Sequence, residues 1–366
     1  MSKYKVCVYA ISKNEEKFVD RWYQSVKEAD KIIVVDTGST DDTVKKLRNN
    51  GVEVYEEIIS PWRFDTARNK SLELVPDDFD ICVCIDLDEV FVKGWREELE
   101  KVWNENITRV RYNYNWNLDE NNVPRVSFLL DKIHSRKNYI WTHPVHEVLT
   151  YNGITPETFT YAENITVNHY PDSSKSRGSY LNLLELSIKE DPEDDRNMHY
   201  LGREYMYYGR WNDAIDTLIK HLSLKRATWK DERCASMRFI ARCYKNLKRY
   251  DEANMWLDKA IREAPYSRDP YVEMAILKYE LNDWSEVIIY CEKALQIKKQ
   301  EKTYINEIFS WNETIYDLLS IAYFNVGNIE KALENAKEAL KINDNDRIRN
   351  NVKLINDALN KKIANN

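Results

Sequence analysis

The chain has 366 residues, 43% hydrophobic and 31% charged, with only 8 Gly and 9 Pro, so it is long enough for two domains of ordinary size and leaves little room for disordered linker. Its formal net charge of −7 creates no field that would draw nucleic-acid phosphates or an anionic membrane, so any anionic ligand must be held by local cations or a metal ion. No stretch approaches the ~18 apolar residues of a membrane span, and the opening MSKYKVCVYAISKNEE has too short an apolar run for a signal peptide, so a cytoplasmic protein is expected.

Over about the first 100 residues β-rich runs alternate with helical ones: KVCVYAI, EKFVDRWYQSVKEA, IIVVD, TVKKLRNN, VEVYEE, ARNKSLELV and DICVCID. This order builds an α/β domain with a mostly parallel sheet, helices on both faces and ligands at the carboxyl ends of the strands. Three of those ends are polar. The first run leads into Ser12, Asn14 and Glu15, the second into Asp36-Thr37-Gly38-Ser39-Thr40-Asp41-Asp42, and ICVCI into Asp86-Leu87-Asp88. Such residues also make Asx turns and helix caps, which is the reading for Thr40 to Asp42. Alternate residues of an extended segment share a side, so Asp86 and Asp88 are expected to project together, and two like charges in one place call for a cation. Mg²⁺ or Mn²⁺ suits carboxylate oxygens. A D-x-D alone reads first as a solvated turn; its place at the end of an apolar strand reverses that reading in favour of the metal. Cys7, Cys82, Cys84, Cys234, Cys243 and Cys291 lie in apolar patterns without metal-ligand spacing and read as small buried hydrophobes in a reducing compartment.

RVRYNYNWNLDENNVPRVSF (109–128) mixes Tyr112, Tyr114 and Trp116 with Asn and Arg, aromatic faces that suit sugars and peptides alike. Arg136, Trp141, HPVHEVL (143–149) and ITVNH (165–169) follow. From residue 197 the period changes. MHYLGREYMYYGRWNDAIDTLIKHL and three later segments align with small or apolar residues in register: Gly202, Ala241, Ala275 and Ser320; Ala214, Ala253, Val287 and Ala332; His221, Ala260, Ala294 and Ala339. The offsets of 39, 34 and 45 residues are a 34-residue period with insertions, and the segments resemble tetratricopeptide (TPR) helix pairs.

AISKNEEKFVDRWYQSV, ADKIIVVDTGSTDDT, SPWRFDTARNKSL and FDICVCIDLDEVF, in that order, resemble the family 2 glycosyltransferases of the GT-A fold, in particular bacterial members with TPR repeats after the catalytic domain. The resemblance is dense over residues 4–92 and patchy to about 170. It implies a catalytic domain at 1–172, a linker and first helix at 173–196, four TPR-like pairs at 197–347 and a capping helix at 348–366. It further implies that Ser12, Asn14, Glu15 and Asp36 line the base and ribose of a nucleotide-sugar, expected to be a UDP-sugar, although Thr37 stands where many members have a second acid. Arg68 of F-x-x-A-R-N would lie near the phosphates, Asp86 would face ribose and metal, and Asp88 would hold Mn²⁺ or Mg²⁺ against the diphosphate, with His169 completing the shell. The later signature falls on Arg136, counted with the donor-binding set, Trp141 and Glu147, the candidate base of an inverting transfer, with Asp131 next in line. His146 is expected to orient that turn, and SSKSR (173–177) either closes over the diphosphate or is a linker.

Blander readings stay open: Arg68 as a helix-surface arginine, Glu147 as an acid paired with Arg136 or a lysine, His169 as a buried hydrogen-bonded ring. A nucleotidyltransferase lacks support because ISKNEE replaces a Gly-rich phosphate loop, and a TPR scaffold with an inactive transferase domain is disfavoured by intact Arg68, Asp86 and Asp88. The concave surface of a TPR array suits peptides, so a polypeptide acceptor is expected ahead of a cell-surface polysaccharide or lipid-linked sugar; the array equally suits a homodimer interface.

Overall fold

The structure, a computed structural model, describes residues 3–172, 178–301 and 303–364. The chain forms two compact units, Met1–Glu190 with Lys302–Tyr304, and Asp191–Glu301 with Ile305–Asn366. The segment 173–177 expected to close over a diphosphate lies outside the described residues.

The first unit runs β1 (Val6–Ser12), α1 (Val19–Val26), β2 (Lys31–Asp36), α2 (Thr43–Asn49), β3 (Glu53–Glu56), α3 (Phe64–Glu73), β4 (Ile81–Cys84), β5 (Glu89–Phe91), α4 (Trp95–Val102), β6 (Arg109–Leu118), β7 (Pro124–Ser135), β8 (Tyr139–Thr142), β9 (Val148–Tyr151), β10 (Phe159–His169) and α5 (Tyr180–Glu190). Eight strands form one sheet in the order β3-β2-β1-β4-β7-β6-β10-β5, while β8 and β9 pair separately. The expected parallel half is β3-β2-β1-β4. Beyond it the sheet turns antiparallel through β7 and β6, and β10 runs parallel to β6.

Side chains alternate across a strand, and β1 divides its burial accordingly. Val6, Val8 and Ala10 pack with Trp22, Val83, Trp95 and Leu99 on the side covered by α1 and α4. Cys7 and Tyr9 pack with Cys82, Cys84, Leu72 and Trp141 on the side covered by α3 and β8. All six cysteines are buried and free of disulfides, in line with the hydrophobe reading; burial pushes the Cys7 thiol up to about 12.

The second unit holds α6 (Asp195–Tyr207), α7 (Trp211–Ser223), α8 (Lys230–Asn246), α9 (Tyr250–Glu263), α10 (Asp269–Glu280), α11 (Trp284–Gln296), α12 (Thr314–Asn325), α13 (Ile329–Ile342) and α14 (Asp346–Ala364). Every small residue aligned in the repeats is buried, and a Cβ on Gly202 would come within 2.5 Å of Leu218 Cγ, the contact that lets α6 and α7 close. Each pair turns through a left-handed residue at one register position: Gly209, Lys248, Asn282 and Gly327, with φ of 71°, 59°, 60° and 80°. The next residue donates back five positions at every turn, Arg210 to Tyr205, Arg249 to Tyr244, Asp283 to Lys278 and Asn328 to Tyr323. That is the Schellman helix ending, and two non-glycine residues accept its strain. No helix of the described residues is long and apolar enough to cross a membrane.

Candidate active site

The carboxyl ends of β1, β2 and β4 lie side by side because β1 sits between the other two. At the β1 and β2 ends the loops stitch to one another. Asp36 is 2% exposed; its Oδ2 accepts from Ser12 Oγ at 2.8 Å and from Ser39 Oγ, and its Oδ1 accepts from Gly38 N at 3.1 Å and Ser39 N at 2.8 Å. Asn14, left-handed at φ 54°, donates its N–H to Ser39 Oγ at 2.8 Å and accepts from Thr40 N at 2.7 Å. Glu15 N donates to Thr43 Oγ1 at 2.7 Å, and Asp41 accepts from Thr43 N at the start of α2. Thus the capping role expected near Thr40 to Asp42 falls to Asp41. Asp36 already receives the four hydrogen bonds a carboxylate can accept, which makes it the organiser of the loop pair.

The β4 end is different. Arg68 on α3 is 5% exposed rather than a surface arginine. Its fork grips Asp86 through Nη1 to Oδ1 at 2.8 Å and Nη2 to Oδ2 at 2.9 Å, its Nε holds Glu147 Oε1, and its Nη1 also reaches Cys84 Sγ at 3.3 Å. Burial works against charge on Arg68 and Asp86. Their mutual attraction outweighs it, holding the guanidinium well above its usual range and the carboxyl well below. The loop carrying Glu147 is tied to α3 as well: Asn69 brackets the Trp141 backbone with two 2.8 Å bonds, and Phe64 N donates to Pro144 O at 3.0 Å. His143 and His146 hold left-handed backbones at φ 76° and 49° in this loop, a strain that persists when surroundings fix the chain.

Asp88 lies in the turn between β4 and β5. Because β5 pairs with β10 in the register His169↔Glu89, and Tyr170 N donates to Asp88 O at 2.8 Å, Asp88 meets His169. His169 Nε2 is 3.4 Å from Asp88 Oδ2, while Nδ1 is 3.1 Å from the carbonyl of Trp116. A carbonyl only accepts, so Nδ1 carries the hydrogen and Nε2 is the nitrogen aimed at Asp88. Burial lowers the imidazolium's stability, but Asp88 more than compensates and the His169 pKa is raised. The indole of Trp116, 49% exposed, stacks on His169 at 4.4 Å between centroids.

Two participants escaped the sequence reading. Glu89, next to the D-x-D and 3% exposed, accepts from Asp86 N at 2.9 Å and Tyr114 OH at 2.8 Å. Lys132, from β7, lies 3.4 Å from both Asp86 and Glu89. Burial pushes the Glu89 carboxyl up against the pull of Lys132. Conversely, burial alone would lower the Lys132 ammonium, yet Glu89 and Asp86 hold it well above its usual range. A third acid in DLDE was the only local signal; nothing near Lys132 announces it.

Two expected residues lie elsewhere. The register Ile81↔Ser135 puts Arg136 beyond the amino end of β4, opposite the acids, where it donates to Val75 O at 2.7 Å and pairs with Asp77. Asp131 pairs with Arg109 and Arg111 rather than with the Asp86 group. The cation that the carboxylate pair called for is also present, as Arg68 and Lys132, which makes repulsion at Asp86 a weaker argument for metal than the sequence suggested. Among the described residues no group of three His, Cys, Asp or Glu side chains is arranged to hold a metal ion. The Asp88–His169 pair still fits one in donor chemistry: a carboxylate and an oriented imidazole, the complement that Mg²⁺ or Mn²⁺ supplements with substrate phosphate oxygens.

Residues 7–154 match the family model for glycosyl transferase family 2. The first domain belongs to that family. Residues 239–266 match the tetratricopeptide repeat, and 267–361 match the prolyl 4-hydroxylase peptide-substrate-binding domain. Among curated proteins, the SPbeta prophage-derived glycosyltransferase SunS of Bacillus subtilis is 26% identical over 293 residues, covering 74% of this chain; the match takes in 66% of that relative, just under two thirds of its length. An uncharacterized glycosyltransferase of Rickettsia typhi is 22% identical over 279 residues, 75% of this chain and 83% of that protein. Among solved structures, the crystal structure of MamA protein is 21% identical at a TM-score of 0.36, covering 44% of this chain and 79% of its own.

Proposed function

We propose that the protein is a metal-dependent inverting glycosyltransferase that moves a sugar from a nucleotide-sugar, of which UDP-sugar is the first to test, to a peptide or protein side chain. The observation that carries this reading is the meeting of Asp88 with His169 beside the Arg68-clamped pair of Asp86 and Glu147, at the strand ends of a family 2 domain. Asp88 and His169 would hold Mn²⁺ or Mg²⁺ with the donor's diphosphate, and the metal when bound stabilises negative charge on the departing nucleotide. The nucleoside falls to the loops after β1 and β2, where the register sets Ser12 beside Asp36 and where Asn14 and Glu15 bond to Ser39 of the second loop and to Thr43 at the start of α2. Glu147 takes the acceptor's proton: Arg68 holds Oε1 and fixes the carboxylate, leaving Oε2 as the basic oxygen. The peptide acceptor is supported by the TPR-like repeats, which resemble a peptide-substrate-binding domain over 267–361. A polysaccharide or lipid-linked acceptor is the alternative that the same donor site would serve.

The test is a single-turnover assay of Glu147→Gln beside calorimetric titration with UDP-sugar and Mn²⁺. General-base catalysis is typically worth 10²- to 10⁴-fold, so transfer should fall by about that factor while donor affinity stays within a few-fold. Unchanged transfer to a hydroxyl acceptor would remove Glu147 as base, and lost donor affinity would make it a donor-site residue.

A further inference from the structure

Asp86 and Glu89 share one ammonium. Lys132 Nζ is 3.4 Å from Asp86 Oδ2 and 3.4 Å from Glu89 Oε1, and its side chain is 20% exposed. Two carboxylates reaching one cation is the arrangement in which a divalent ion bridges; here the chain supplies the bridging charge itself. Both acids are also fixed from other sides. Asp86 has each oxygen in the Arg68 fork, and Glu89 takes Tyr114 OH on Oε1 and Asp86 N on Oε2. Arg68 makes no such bridge to Glu89, since its donors go to Asp86, Glu147 and Cys84.

We infer that Lys132 is a built-in counter-cation that keeps a divalent metal off the Asp86–Glu89 pair and confines it to Asp88 and His169, so that metal binds together with a nucleotide diphosphate rather than before it. An ammonium this close to both acids repels a dication strongly at any effective dielectric found in proteins. What remains for the metal is two protein donors, and Mg²⁺ or Mn²⁺ held so sparsely depends on phosphate oxygens to fill its shell. This deepens the metal-dependent reading of the site and rests on it; Lys132 acts here as a positioning residue.

The test uses Mn²⁺ alone on the full chain, with free ion followed by electron paramagnetic resonance. Wild type should bind Mn²⁺ weakly without nucleotide. Lys132→Met should bind it at least about 10-fold more tightly, because two acids lose their internal cation, and Lys132→Arg should restore weak binding. Lys132→Gln, which retains a donor for both acids, provides a second neutral variant should the Met form fail to fold, with thermal melts confirming the native state. Folded neutral variants that titrate like wild type would overturn the inference, as would wild type binding Mn²⁺ as tightly as they do. A wild type that binds no Mn²⁺ even with UDP would instead count against the metal-dependent reading, while the metal-alone comparison still decides the role of Lys132.

Discussion

Around Asp36, the loops after β1 and β2 satisfy one another: hydroxyls and backbone N–H groups fill the carboxylate, and Asn14 pins the second loop to the first. Around Asp86, four carboxylates (Asp86, Asp88, Glu89 and Glu147) meet two permanent cations, Arg68 and Lys132. In the first region the loops fill the hydrogen-bonding capacity of Asp36, while Asn14 and Thr40 remain exposed. The second retains a formal excess of negative charge that only a ligand, a proton or a metal can cancel. Richness in polar residues marked both regions in the sequence, but the unbalanced charge singles out the second as the candidate site.

Removing Arg68 should break this contrast most severely. Arg68→Ala leaves Asp86 and Glu147 partly buried without their shared guanidinium, and breaking a buried pair typically costs about 3 to 5 kcal/mol. Urea unfolding of the variant measures it; a loss below about 1 kcal/mol would mean that solvent already screens the cluster.

Asp36→Asn should be milder. The amide oxygen can keep the two backbone donors and its NH₂ can donate to the two hydroxyls after they rotate, so the expected loss is about 1 kcal/mol, a net hydrogen bond's worth. Mn²⁺ affinity measured without nucleotide should not change. A variant that unfolds readily, or that loses metal, would show the two regions to be electrically coupled.

Lowering the pH separates burial from charge pairing. His134, bonded to Tyr9 at 2.8 Å in the first unit, and His199, bonded to Ser236 at 2.7 Å in the second, are both held neutral by burial, their pKa lowered to about 3. The unfolded chain takes up a proton on each ring near pH 6.5 and the folded chain only near 3, so the unfolded state binds more protons and stability falls as pH drops. Each histidine should cost about 1.4 kcal/mol per pH unit below about 6.5. Asp86 works in a lower window: its pKa is depressed, so its contribution is present above its ordinary carboxylate value and fades only as pH falls further. The raised Glu89, His169 and Asp269 work in the opposite sense over the same range, so the histidines are read by difference: unfolding followed from pH 7 to 5 should be less acid-sensitive in His134→Gln and in His199→Gln than in wild type, and equal slopes would mean that the rings are solvated.

The parallel half and the repeats were legible because each rests on local pattern: apolar runs ending in polar turns, and small residues recurring at a helical-repeat spacing. The antiparallel half was not, since β6 and β7 pair through register shifts that no short window encodes. That is why Lys132 went unnoticed, 46 residues from the Asp86 it approaches, and why Arg136 and Asp131, chosen by motif order and proximity, lie away from the acids. Asp88 and His169 are 81 residues apart in sequence, and motif order put them in one expected metal shell; the β5–β10 ladder that brings them within reach of each other is visible only in three dimensions. Arg68 was singled out for phosphates, yet its burial between two acids gives it a different geometry from the one its motif implied.

The central claim is a metal-dependent nucleotide site at the acidic strand ends, and the thermal transition with UDP and Mn²⁺ tests it most directly. A ligand that binds only the native state raises its stability by about 2.7 kcal/mol at a hundred times its Kd. With millimolar UDP and Mn²⁺ the melting temperature should rise by several degrees, EDTA should abolish the rise, and Asp88→Ala should fold normally yet show none of it. A transition that UDP and UDP-sugars leave unmoved with metal present, or a shift that survives both EDTA and Asp88→Ala, would contradict the account.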